Sequence, residues 1–123
     1  MVPKLDIIPK RADFLKAARA QSCAARGLVL QARQRGDDGN YRVGFTVTKK
    51  VGNAVTRNRV RRRLREAARL ELADVAQPGF DYVLIGRKAT IDRDFGALLG
   101  DLVYATKKVH MSRDGKEGAE GRR

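Results

Sequence analysis

The residues best equipped for chemistry lie between Lys49 and Arg69: Lys49, Lys50, Arg57, Arg59, Arg61, Arg62, Arg63, Arg65 and Arg69, against the single acid Glu66. Nine basic groups and one acid place +8 of the chain's +13 in this stretch. Wound as a helix, Asn58, Arg62, Arg65 and Arg69 fall in one stripe at spacings of four, three and four, with Arg59 and Arg63 in a neighbouring row. At 1.5 Å per residue the stripe is about 16 Å long, enough to meet several consecutive phosphates. The chemistry such a pattern offers is anion recognition, because the guanidinium fork matches phosphate oxygens and its plane stacks on bases. An idle helix face mixes signs, whereas this one stacks like charges that repel by a few tenths of a kcal/mol per pair. That repulsion calls for an anionic ligand.

A second, fainter pattern is a set of apolar and small polar residues that a strand–helix arrangement would bring to one surface: Phe14, Val29, Gln31, Gly44 and Thr46. Docking the first helix against one edge of a sheet leaves a groove lined by them, narrow enough for a single nucleic-acid strand whose bases stack or pack. Gly44, in the middle of a strand, admits either a bulge or the close approach of a ligand. No catalytic constellation accompanies these surfaces. His110 falls near a frayed helix end with no Ser, Cys or carboxylate partner implied, and the acids are scattered or placed as helix caps. Cys23 is the only cysteine, so there is no internal disulfide, and with one histidine there is no four-ligand zinc site.

The elements that must position these groups follow from periodicity. A length of 123 residues at 42% hydrophobic content fits one domain with a modest core, made aliphatic by the absence of Trp and only 6% aromatic residues. A helix is expected from Pro9 to about Ala20. Strands follow at "GLVLQAR", with Leu28, Leu30 and Ala32 on one face, and at "YRVGFTVTKK", with Tyr41, Val43, Phe45 and Val47 on one face. The turn "GDDGN" between them predicts an antiparallel hairpin. Asn53 is placed to cap a long helix over about Ala54 to Ala76, whose core stripe is Val60, Leu64, Ala67, Ala68 and Val75. "DYVLIG" reads as a strand buried on both sides, and a last helix runs from about Asp92 to Val109. Residues 1–111 are thus expected to form one α/β domain, and 112–123 a tail without apolar periodicity, expected to be disordered.

The partner class narrows by elimination. No apolar run is long enough for a membrane span, the N-terminus lacks a secretory pattern, and a cytoplasmic location is expected. A membrane-surface helix would set Trp, Phe or Leu opposite the charge, but this apolar face is Val, Leu and Ala. A helix-turn-helix would place a second helix beside the basic one, yet strands flank it. Structured RNA, met by one helix through backbone and shape, fits best.

The segment "VGFTVTKKVGNAVTRNRVRRRLRE", Val43 to Glu66, resembles the signature of the bacterial ribonuclease P protein component: a strand ending in two lysines, then "VGNAV", then "RNR" opening a basic helix. The likeness extends over about Lys10 to Val109, with "RADF" in the first helix and "DYVLIGR" as the last strand. It implies an α+β fold, a two-layer α/β sandwich of order α-β-β(-β)-α-β-α. It also implies the left-handed βαβ crossover, where nearly all such units are right-handed. In function it implies a noncatalytic subunit that joins a catalytic RNA in a 1:1 ribonucleoprotein to remove 5′ leaders from precursor tRNA. Mg²⁺ would be held mainly by the RNA and none by the protein. By position, Lys49, Lys50, Arg57, Asn58, Arg59, Arg62, Arg63 and Arg65 would contact the catalytic RNA, with Arg69 continuing the stripe. Phe14, Val29 and Thr46 would line the leader cleft. The sequence departs from its relatives at Ala18 and Gln31, where they often carry aromatics. A ribosomal or other structural RNA-binding protein is the alternative.

Overall fold

The computed structural model describes residues 5–119, with side chains through Met111. The elements are α1 (Arg11–Ala18), β1 (Gln21–Ala24), β2 (Leu28–Gln34), β3 (Arg42–Thr46), α2 (Ala54–Glu71), β4 (Phe80–Gly86) and α3 (Phe95–Ala119), with short 3-10 turns at Lys49–Val51, Leu72–Asp74 and Lys88–Ile91. One mixed sheet has the order β1-β2-β4-β3. β2 is antiparallel to both β1 and β4, while β3 runs parallel to β4, so α2 is the helix of a β3–α2–β4 crossover.

This order corrects the expected hairpin between β2 and β3. β4 is apolar on both faces and inserts between them, pairing with β2 from Leu28↔Gly86 to Gln34↔Phe80 and with β3 from Arg42↔Asp81 to Thr46↔Ile85. A strand buried on both sides gains most at the centre of the sheet. The true hairpin joins β2 to β1, closed where the Ala25 amide donates to the Leu28 carbonyl at 2.8 Å. β1 follows directly on the first helix in a stretch where periodicity announces no strand, because "QSCA" carries little strand propensity. Helix α1 stops at Ala18 instead of Ala20.

The two main layers are the sheet and the α2/α3 pair. Leu28, Leu30 and Ala32 of β2 and Tyr82 and Leu84 of β4 meet Val60, Leu64, Ala67 and Ala68 of α2 and Leu98, Leu102 and Ala105 of α3 in one buried cluster. Burying a Val or Leu side chain is worth about 1.5–3 kcal/mol. Val75 lies beyond the α-helical end of α2 and is half-buried against this core. On the other face of the sheet α1 lies alone, with Ala17 and Phe14 against Ile8, Val83 and Ile85. The segment before α1 extends the β3 edge through an Ile7↔Val43 bridge.

α3 starts at Phe95, where Asp94 accepts from the Ala97 amide at 3.0 Å. Its backbone stays helical through Ala119, so 112–119 continues a helix where disorder was expected. No proline interrupts its 25 residues, and each added residue closes another backbone hydrogen bond. Residues 120–123 of that expected tail lie outside the described residues. His110 is not at a frayed end but in the core. Its Nε2 is 2.6 Å from the Tyr82 hydroxyl, which also accepts from the Gln77 amide at 2.8 Å, and its ring packs edge-on against Phe80.

Candidate nucleic-acid interface

Helix α2 begins as its sequence predicts, with the Asn53 side chain accepting from the Thr56 amide at 2.9 Å. The helix then sorts its arginines by flank. On one flank Arg59 donates to the Ile91 carbonyl at 3.1 Å, and Arg63 donates to the Arg93 carbonyl and covers the Phe95 ring. These two tie α2 to the 88–95 segment, so much of the Arg63 guanidinium is spent inside the fold. On the other flank Arg61 donates to Asn58 at 3.3 Å, and the Arg65 guanidinium sits 5.1 Å from the centre of the Phe45 ring.

Asn58, Arg62 and Arg65 are exposed. The Arg62 side chain makes no hydrogen bond or ion pair among the described residues, and neither do the side chains of the exposed Lys49 and Lys50 just before the helix. Arg57 is half-buried and donates to the Gly52 carbonyl at 2.8 Å. Arg69 is paired with Glu66 at 2.9 Å, which holds the Glu66 carboxyl below its ordinary range. The predicted stripe therefore exists, strongest at Arg62 and Arg65 and partly neutralised at Arg69.

The opposite face of the sheet carries three rows set by register. Arg33, Asp81 and Arg42 form the first row, Gln31, Val83 and Gly44 the second, and Val29, Ile85 and Thr46 the third. Rows lie about 6–7 Å apart, two strand residues, and strands about 4.8 Å apart. Over the second and third rows lies a groove of about 550 Å³, walled by Phe14, Leu15 and Ala18 of α1 and floored by Gln31, Thr46, Val83 and Ile85. It wraps the β3 edge toward Phe45 and Val47, with Arg11 and Arg61 at its margins.

Of the five residues expected here, Phe14, Gln31 and Thr46 line the groove. Val29 stands beside Ile85 on the same face, outside the lining. Gly44 is buried, and a Cβ there would overlap the Phe14 ring. The close approach that this glycine permits is thus made by Phe14 and not by a ligand, which corrects its place in the expected set. Arg61 was counted only as part of the basic run, although its position between the core stripe and Arg65 on the helical wheel puts it on the groove flank.

Sequence reasoning missed the ion cluster at the first row. Asp81, fully buried, accepts from Arg42 through both oxygens at 2.8 Å, from Arg35 at 2.8 Å and from Arg33 at 3.2 Å. Burial alone would raise the Asp81 carboxyl, but the hydrogen bonds from Arg42 and Arg35 hold it below its ordinary range. The Arg42 guanidinium is raised in turn, chiefly by its bonds to Asp81. Asp13 of α1 joins the cluster through Arg33 and Arg42. The available signal was an aspartate inside an aliphatic strand, since a buried charge needs partners.

Cys23 is half-buried, and burial pushes its thiol up, so it is a poor nucleophile. Among the described residues no three His, Cys, Asp or Glu side chains gather in a way that could hold a metal ion, and no helix is long and apolar enough to cross a membrane.

Comparison with known proteins places this architecture. Residues 2–110 match the family described as Ribonuclease P. The chain is 56% identical over 112 residues to the ribonuclease P protein component of Ruegeria pomeroyi, covering 89% of this chain and 90% of that one. It is 50% identical over 121 residues to the same component of Gluconacetobacter diazotrophicus, covering 98% and 100%. Among solved structures, the RNase P protein from Thermotoga maritima superposes with a TM-score of 0.72 at 30% identity, covering 85% of this chain and 97% of that one. The RNase P protein of Staphylococcus aureus gives 0.70 at 28% identity, covering 85% and 95%.

Proposed function

The chain belongs to the ribonuclease P protein component family, and from that membership we propose that it binds the catalytic RNA through α2 while its groove takes the 5′ leader of precursor tRNA. The family makes it part of an endoribonuclease complex that works on tRNA and implies an RNA partner. The finer assignment rests on one observation: two different surfaces meet at β3. One is a convex stripe with Arg62 and Arg65 exposed, and the other is a groove of about 550 Å³ whose wall carries the Phe14 ring and whose floor mixes the apolar Val83 and Ile85 with the polar Gln31 and Thr46.

A stripe of guanidinium groups suits the phosphates of a folded RNA, whose deep grooves exclude side chains and leave backbone and shape to be read. The groove suits a single strand, with Phe14 offering a ring for stacking and Gln31 and Thr46 offering polar contacts at the base edges. The chain holds its RNA and orients it. Its one histidine is packed in the core against Tyr82 and Phe80, away from both surfaces. Cleavage is assigned to the RNA, with Mg²⁺ held mainly there, in a cytoplasmic particle of one protein per RNA.

Reconstitution tests this directly. With a bacterial ribonuclease P RNA at limiting Mg²⁺, the protein should accelerate cleavage of leader-bearing precursor and raise the complex's affinity for precursor over mature tRNA. Equal affinity for the two would remove the leader from the groove, and no stimulation would remove the assignment altogether.

A further inference from the structure

α1 has eight residues, only Ala17 among them fully buried, and its N-cap Lys10 makes no side-chain capping bond. A helix this short does not hold itself in water by propensity. Its first turn is instead held by Asp13, whose two carboxylate oxygens each accept from one sheet arginine: Oδ1 from Arg33 at 3.2 Å and Oδ2 from Arg42 at 3.3 Å. Both arginines are fixed from below by Asp81, whose side chain is wholly buried, whereas that of Asp13 keeps 16% exposure. The sheet thus presents a rigid two-arginine receptor, and α1 supplies one carboxylate to it. The next residue is Phe14, and Phe14, Leu15 and Ala18 are the groove's wall.

We propose that Asp13 is a positioning residue that pins α1 across the sheet and so sets the width of the groove for a single-stranded leader. It touches no RNA itself and acts through Phe14 and its neighbours. The inference rests on the groove being the leader's seat, as proposed above. The basic stripe on α2 packs from the other face of the sheet through the Leu28–Leu84 core, so releasing α1 leaves it in place.

Asp13→Asn keeps the shape, removes the charge and leaves the Asp81 pairs intact. In the reconstituted holoenzyme it should raise KM for leader-bearing precursor about three- to tenfold, the loss expected of two half-buried ion pairs. The kcat at saturating precursor and the affinity for the catalytic RNA should stay as in the parent protein. Amide exchange should quicken in residues 11–18 and not in α2. Asp13→Glu keeps the charge and should recover most of the KM. An unchanged KM in Asp13→Asn would overturn the proposal, and so would equal KM effects from Asn and Glu, or faster exchange spread through α2. Should the parent protein itself show no leader preference, the groove reading fails instead. Exchange then decides the pin alone: α1 loosened in Asp13→Asn supports it, and α1 unchanged overturns it.

Discussion

The Arg65 guanidinium lies 5.1 Å from the centre of the Phe45 ring, so a residue of the basic helix rests on a residue that lines the groove. Such a cation–π contact at an exposed site is worth about 0.5–1 kcal/mol, and here it couples two surfaces that the sheet otherwise separates. Arg65→Ala should therefore have two effects: weaker binding to the catalytic RNA and a KM for leader-bearing precursor raised about two- to fivefold. Arg62→Ala touches only the first surface and should leave that KM unchanged once the complex is saturated. Titration with catalytic RNA and steady-state kinetics on both variants separate the two behaviours.

The salt dependence of RNA binding should rank the stripe by what each arginine already holds. Removing Arg62, which has no partner among the described residues, should flatten the log–log slope by about 0.7–0.9 for one lost phosphate contact. Removing Arg69, half satisfied by Glu66, should change the slope less. Equal slopes in the Arg62 variant and its parent would take that residue out of the interface.

Phe14→Ala should keep catalytic-RNA affinity and reduce the preference for precursor over mature tRNA. Gly44→Ala should do the same from beneath, because its new methyl displaces the Phe14 ring. Competition binding with and without a leader checks both, and a Gly44→Ala protein of parental preference would show that the ring's place over β3 is irrelevant.

Asp81→Asn leaves three arginines facing one neutral amide. Breaking a buried charge pair from one side costs about 3–5 kcal/mol, which should appear in urea unfolding as a lowered midpoint. The same group predicts a pH effect. Its folded pKa is depressed, so its stabilisation is complete above the ordinary carboxylate value and is lost as pH falls through the folded one. Acid unfolding should thus set in below about pH 4 in the parent and be shallower in Asp81→Asn.

At the alkaline end the relevant group is Tyr82, whose hydroxyl burial pushes up to about 12 from 10.0. A raised folded pKa means stability that is full below pH 10.0 and declines as pH climbs toward about 12. Spectrophotometric titration should show the Tyr82 phenolate appearing only with unfolding. Tyr82→Phe abolishes that dependence and loses the hydroxyl's bonds to His110 and to the Gln77 amide, at about 1–3 kcal/mol.

Much of this architecture is written locally. α2 was legible because a cap at Asn53, an apolar period through Val60 and Leu64, and like-charged residues opposite all agree. β4 was legible because an unbroken apolar run has to be covered on both sides. Partnership was harder: β2 and β3 look like a hairpin when only neighbours in the chain are considered, and nothing within either strand announces that β4 will insert between them. β1 was lost because four residues of low strand propensity are held by pairing and not by preference. At the groove, Gln31 and Thr46 were legible from the alternation of their strands and Phe14 from the first helix. The roles of Gly44, Asp13 and Asp81 depend on contacts across 20 to 48 residues of sequence, which no local pattern encodes.

The central place of β4 also sets a timetable. Val83 and Ile85 are the groove's floor, and both neighbours of β4 were made 39 or more residues earlier, so during synthesis β2 and β3 wait without a shared partner until Gly86 has left the ribosome. Pairings so distant in sequence close late and slowly. The backbone hydrogen bonds of α2 close within its own turns, whereas its apolar stripe of Val60 and Leu64 packs in the core with the same late strand. The groove's floor is thus the last part of the site whose strands can pair, because both of its partner strands precede it by 39 or more residues.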